Sequence, residues 1–169
     1  TLAAAVKEGL KCRFVIEERV PGSFHEDASG NHFMFRLFGV EAITVVPGGS
    51  NMAAAMQLVA DELASQGRKG YIIAGGGSNA IGGLGYVACA QELQQQLFEH
   101  GVQIDRVVVG SGSSGTHGGL VAGFLGNHIH IPIVGIGVSR DPADQQPLVL
   151  KEAQAVADLL GLGLTVKPE

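Results

Sequence analysis

The sequence is poor in cysteine and has fewer basic than acidic residues. It contains two cysteines and no tryptophan. Cys12 and Cys89 have no cysteine or histidine at metal-binding spacing, which predicts no metal site and reduced thiols in a cytoplasmic protein. Lysine and arginine total 11 against 16 acidic residues and form no cluster, so neither a nucleic acid nor an anionic membrane is an expected partner.

Long apolar runs are also absent. No stretch reaches the roughly 18 apolar residues that a membrane span needs. The hydrophobic fraction of 46% nevertheless predicts a globular protein with a sizeable core, for which a small molecule is the expected ligand. The chain opens at Thr1 inside a helix-like pattern and stops within the strand-like LTVKPE, so we expect an internal piece of a longer protein.

Helix-like and strand-like segments alternate along the chain. This alternation is typical of an α/β protein with a mostly parallel sheet. The predicted strands are residues 12–16, 42–46, 71–74, 106–109 and 131–138. The predicted helices are residues 2–10, 31–38, 51–66 with Ser50 or Asn51 as the cap, 86–99, a segment ending near 126, and 148–160.

The loop GSGSSGTHGG follows one predicted strand and precedes a helix. Unpaired amides at a helix start attract anions, and glycine lets the backbone approach them closely. Gly112 and Gly115 alternate with Ser113, Ser114 and Thr116, so amide and hydroxyl donors are interleaved, as suits a phosphate. The loop lacks the lysine of a nucleotide-binding P-loop and the acidic residue of a dinucleotide fingerprint. The alternative is a tight turn without a ligand.

A second loop, GGGSNAIGGLGY, lies in the same strand-to-helix context. Ser78 and Asn79 are its only strong side-chain hydrogen-bonding groups before Tyr86, and they can hold a carboxylate or a phosphate. The alternative is close packing of the helix against the sheet through Gly82, Gly83 and Gly85. The pattern alone does not rank the two loops.

Several segments resemble one known family. GGGSNAIGGLGYVACAQEL, DRVVVGSGSSGTHGGLVAGFLG and IPIVGIGVSR are similar to the D-cysteine desulfhydrase, L-cysteate sulfo-lyase and 1-aminocyclopropane-1-carboxylate (ACC) deaminase family of fold-type-II pyridoxal-phosphate enzymes. The resemblance extends to the start of the chain, through the segments TLAAAVKEGLKCRFVIEERV and GNHFMFRLFGVEAITVV. It implies a three-layer parallel sheet with flanking helices, within the two-lobed architecture of the tryptophan synthase β subunit. Residues 1–70 would be the remainder of the smaller lobe and 71–169 part of the larger one, with the terminal parts of the family fold absent.

The resemblance implies pyridoxal 5'-phosphate as the cofactor. Its phosphate would be held by Gly112, Ser113, Ser114, Gly115 and Thr116. Ser78 and Asn79 would face the cofactor or substrate cleft. GGGSNAIG also reads like the phosphate loop of the tryptophan synthase β subunit, so the two loops can exchange roles.

The catalytic parts of that family are missing from this chain. The lysine that binds the cofactor in a GGNK-like motif, the Ser-Asn-His segment and the tyrosine of a PGYG-like segment have no match. We therefore nominate no catalytic residue. His117 follows the phosphate loop, and we expect it to make a structural hydrogen bond to a neighbouring carbonyl.

The resemblance implies a lyase as the full-length protein, with this piece inactive alone. The expected reaction is β-elimination from L-cysteate or D-cysteine, giving pyruvate, ammonia and sulfite or sulfide. Within this family, the segment GGGSNAIGGLGYVACA is most similar to the L-cysteate sulfo-lyase branch. We expect a homodimer acting on a small amino acid. An ACC deaminase-type enzyme and a non-catalytic domain that binds a phosphate ligand are the alternatives.

Overall fold

The computed structural model describes residues 1–168, which fall into two compact units. The first unit is Thr1–Ile72 and the second begins at Ile73. Each unit contains a two-stranded parallel sheet. The α/β class with parallel strands that the sequence predicts is therefore confirmed.

The first unit alternates helices with strands. Its elements are α1 (Leu2–Lys7), β1 (Arg13–Glu18), α2 (Asn31–Leu37), β2 (Ala42–Pro47) and α3 (Met52–Ser65). Strands β1 and β2 pair in parallel, with Arg13 opposite Ala42. Helix α3 begins where the sequence predicts, because Asn51 Oδ1 accepts a hydrogen bond from the Ala54 amide at 3.1 Å.

A cluster of ion pairs around Glu41 connects separate segments of this unit. Glu41, just before β2, accepts hydrogen bonds from Arg13 Nε at 2.9 Å and from Arg68 Nη2 at 3.0 Å. These two guanidinium groups, Arg68 first, lower the pKa of Glu41 to about 2. The cluster therefore ties the start of both strands to the segment that follows α3.

The second unit carries longer helices. Its elements are α4 (Ala80–His100), β3 (Val107–Ser111), α5 (Gly115–Gly126), β4 (Ile133–Gly137) and α6 (Pro142–Leu159). Strands β3 and β4 are parallel, with Val107 opposite Ile133. None of the helices in residues 1–168 combines the length and the apolar character needed to cross a membrane.

Two predictions around the loop GGGSNAIGGLGY are wrong. Residues 71–74 form no strand, since no strand pairs with them in the described part of the chain, and they lead into a short 3-10 turn, Gly75–Gly77. Helix α4 starts at Ala80 instead of near residue 86, because Asn79 Oδ1 accepts from the Gly82 amide at 2.8 Å and caps it. Helix α6 also starts early, with Pro142 in its first turn.

Helix α5 packs very closely on both of its helical neighbours. A methyl group at Gly119 would lie 2.6 Å from the carbonyl oxygen of Gly83 in α4, and one at Gly118 would lie 2.7 Å from Cβ of Glu152 in α6. Gly83 has equally little space, since a methyl group there would overlap Val156 of α6. The close-packing interpretation thus holds for Gly83, with helices in place of the expected sheet as its neighbours. It is wrong for Gly85, where a methyl group would meet nothing within 4 Å.

The α5 contacts predict opposite effects for two glycine-to-alanine changes. Gly119→Ala should lower the free energy of unfolding by about 1–3 kcal/mol, because the added methyl group has no space. Gly85→Ala in α4 is the matched control, since its methyl group would meet nothing within 4 Å. It should raise stability by about 0.5–1 kcal/mol through helix propensity. Urea unfolding of both variants measures this, and equal effects would contradict the packing.

Candidate anion-binding site

The two glycine-rich segments meet in the second unit. The Gly115 amide donates a hydrogen bond to Ser78 Oγ at 3.1 Å. A methyl group at Gly115 would lie 2.7 Å from the same oxygen, and one at Gly76 would overlap the Ser113 side chain. The sequence presents the two loops as rival anion sites, whereas in the structure they are two walls of one site.

The backbone at the start of α5 presents several amides without protein acceptors. Within residues 1–168, this holds for the amides of Gly112, Ser113, Ser114, Thr116 and His117. The positive end of the α5 peptide dipoles lies at the same place. Such a set of amides can hold an oxyanion.

The side chains of the predicted cup fall into two groups. Ser113 is exposed and Thr116 half-buried, and neither hydroxyl has a partner in the described part of the chain. Ser114 is buried, with 3% exposure, and accepts a hydrogen bond from Gln145. The hydroxyls of Ser113 and Thr116 therefore remain available to a ligand, while Ser114 Oγ is held by α6.

Ser78 joins the two walls of the site, and Asn79 orders one of them. Ser78 Oγ accepts from the start of α5, and Asn79 Oδ1 caps α4. The sequence predicted that both face the cofactor or substrate cleft. Ser78 contacts the start of α5, whereas Asn79 contacts the start of α4, and both side-chain oxygens accept from backbone amides of the protein.

Two residues behind the loop were missed by sequence reasoning. Gln145 Nε2 lies 3.0 Å from both Ser111 Oγ and Ser114 Oγ, and Arg140 Nη1 donates to the Gly112 carbonyl at 2.8 Å. A single glutamine in a helix carries no motif, so no local signal marks it. These contacts hold the loop on the side that packs against α6.

His117 makes a structural hydrogen bond, as the sequence predicted, with a different partner. Its Nδ1 lies 3.1 Å from Ser111 Oγ, where a backbone carbonyl was expected. Burial lowers the pKa of His117 below its ordinary value of 6.5. The imidazole is therefore neutral at pH 7 and adds no fixed positive charge to the site.

A cavity of about 1000 Å³ lies in the same unit. It is lined by Ser111, His117, Arg140 and Gln145 and by apolar side chains of α5, β4 and α6. None of the seven predicted cofactor-binding residues lines it. Within the described residues, no group of three or more histidine, cysteine or acidic side chains converges on a metal position.

Comparisons with known proteins agree on one family. The family model described as "Pyridoxal-phosphate dependent enzyme" matches residues 1–169. D-cysteine desulfhydrase of Klebsiella pneumoniae (strain 342) is 39% identical over 163 residues, covering 96% of this chain and 49% of the relative. D-cysteine desulfhydrase of Salmonella paratyphi C is 37% identical over 167 residues, covering 98% and 50%. The chain thus spans about half the length of the curated relatives it matches.

A solved structure is similar as well. The crystal structure of an ACC deaminase homologue matches with a TM-score of 0.77 and 28% identity, covering 98% of this chain and 49% of that one. The fold-type-II pyridoxal-phosphate architecture that the sequence predicts is therefore confirmed.

The burial of His117 predicts that the folded protein is less stable in mild acid. The folded protein binds this proton less readily than the unfolded chain, whose histidine has a pKa of 6.5. Its contribution to stability is thus complete above pH 6.5 and is lost as the pH falls through the lower folded pKa. His117→Asn keeps an acceptor for Ser111 but cannot titrate. It should reduce the loss of Tm between about pH 7.5 and about pH 5.

The matched control is His25→Asn, at an exposed histidine in a loop of the first unit. It should leave the pH dependence of Tm unchanged. An identical pH dependence for wild type and His117→Asn would contradict the prediction.

Proposed function

Because the chain belongs to the pyridoxal-phosphate dependent enzyme family, we propose that the β3–α5 loop seats the phosphate of that cofactor. The observation that carries this is the set of five amides at Gly112, Ser113, Ser114, Thr116 and His117, which have no protein acceptor within residues 1–168. A phosphate carries up to two negative charges and accepts several hydrogen bonds, which matches this donor set.

The proposed roles divide between backbone and side chain. Gly112 and Ser114 donate through their amides, while Ser113 and Thr116 add hydroxyls that have no partner in the described chain. The hydrogen bond from the Gly115 amide to Ser78 supports a wall-forming role for that pair.

Asn79 supports the same site through the start of α4. Its cap orders the first turn beside the Gly75–Gly77 segment. We place Asn79 with Ser78 at the cofactor or substrate cleft, where the capped helix keeps the second wall in position.

The chain's own residues provide binding and orientation. When bound, the cofactor's pyridine ring stores the electrons of a bond broken at the amino acid's α-carbon. The loop fixes the position of that ring by holding its phosphate. None of the five lysines (Lys7, Lys11, Lys69, Lys151 and Lys167) lies in the motif that binds the cofactor covalently. We propose that the remainder of the full-length protein supplies this lysine.

We propose D-cysteine or L-cysteate as the substrate of the full-length enzyme. The relatives named D-cysteine desulfhydrase, at 37–40% identity, support β-elimination of a sulfur substituent. The structural neighbour named as an ACC deaminase homologue supports a second candidate, deamination of ACC. In either case residues 1–70 belong to the smaller lobe and 71–169 to the larger one, in a cytoplasmic homodimer.

The full-length protein loaded with pyridoxal phosphate should release pyruvate from D-cysteine or L-cysteate. Elimination and hydrolysis of the three-carbon skeleton give pyruvate and ammonia, with sulfide from the first and sulfite from the second. A coupled pyruvate assay measures this, with cofactor-free protein as the control. Ammonia from ACC without pyruvate from either substrate would select the deaminase. Cofactor binding without any product would select a non-catalytic ligand-binding domain.

A second prediction concerns the contact between the two loops. Gly115→Ala should raise the Kd for pyridoxal phosphate roughly tenfold or more. Its methyl group would lie 2.7 Å from Ser78 Oγ and would push the two loops apart. Alanine is the better helix former, so propensity cannot cause the loss. Gly110→Ala, whose methyl group meets nothing within 4 Å, is the matched control. Equal affinities for both variants, by titration of cofactor absorbance, would contradict this role of the loop.

A further inference from the structure

Gln145 lies behind the proposed phosphate loop, on helix α6. It is buried, with 6% of its surface exposed. Its Nε2 lies 3.0 Å from Ser111 Oγ, 3.0 Å from Ser114 Oγ and 3.2 Å from the Gly112 carbonyl oxygen. One side-chain amide thus contacts three positions of the loop, including both of its buried serines.

Arg140 reinforces the same carbonyl. Its Nη1 donates to the Gly112 oxygen at 2.8 Å and to Gln145 Oε1 at 3.4 Å. The Gly112 carbonyl therefore has two donors on the α6 side of the loop. Because a trans peptide unit is planar and its C=O and N–H point in opposite directions, these donors turn the Ser113 amide away from α6. That amide is one of the donors without a protein acceptor in residues 1–168.

Ser114 shows why the loop needs such support. Its φ is +77°, in the left-handed region that a non-glycine residue rarely adopts, and it is the N-cap residue of α5. This conformation is unfavourable by itself and persists where the surroundings hold it. The hydrogen bond from Gln145 to the buried Ser114 hydroxyl provides that hold.

We propose that Gln145 is a positioning residue that, with Arg140, holds the 112–114 backbone in the conformation that presents its amides to a phosphate. This rests on the proposed function, in which the phosphate is that of pyridoxal phosphate. Gln145 contacts the loop and acts on the ligand through it. Its effect should therefore be selective for ligands that carry the phosphate.

The test compares pyridoxal phosphate with pyridoxal, which lacks the phosphate, in the full-length protein. Gln145→Met keeps the length of the side chain and removes the amide. We expect its Kd for pyridoxal phosphate to rise roughly tenfold while its Kd for pyridoxal stays within about twofold of wild type. Gln146→Met is the matched control, since Gln146 is exposed and makes no side-chain hydrogen bond in the described residues. Both Kd values should be unchanged there.

Arg140→Met is a second variant, at an exposed residue, in case Gln145→Met folds poorly. It should weaken pyridoxal phosphate binding selectively and by less than Gln145→Met. Unchanged affinities, or parallel losses for both ligands in Gln145→Met and Arg140→Met, would overturn the positioning role. Failure of the unsubstituted protein to bind pyridoxal phosphate would instead refute the proposed function.

Discussion

The close approach of helix α5 to α4 and α6 is the constraint on which the second unit depends. Gly118 and Gly119 have no side chains at the contact, and the neighbouring atoms occupy the space that a methyl group would need. This lets the helix axes approach more closely than larger residues allow. The approach brings the segment before α4 against the start of α5, where the Gly115 amide reaches Ser78.

The candidate site therefore separates binding from support. Its free donors are backbone amides and the hydroxyls of Ser113 and Thr116, all near the positive end of α5. Two of the hydroxyl side chains that could bind a ligand already make hydrogen bonds within the protein. Ser114 is held by Gln145, and Ser78 accepts from the Gly115 amide. A hydroxyl in a glycine-rich loop can thus bind another group of the protein as well as a ligand.

Local signals predicted most elements well because they act within a few residues. Asn51 caps α3 as predicted, and Gly101 ends α4 in the left-handed conformation that favours glycine. The same reasoning failed for residues 71–74, where apolar residues predict a strand but only a neighbouring strand can form one. The same reasoning predicted a start of α4 that is too late. Its glycines indicate a loop, but in the structure Gly83 lies within the helix and allows close packing.

The sequence by itself determined the parallel α/β class, the family resemblance and the loop at Gly112–Thr116, because these follow from periodicity and from short runs of residues. Only the tertiary structure decided that the two glycine-rich segments form one site and that Gln145 supports it. Gly115 and Ser78 are 37 positions apart, and Gln145 and Ser114 are 31 apart. Contacts at such separations depend on how helices pack, which no local pattern specifies.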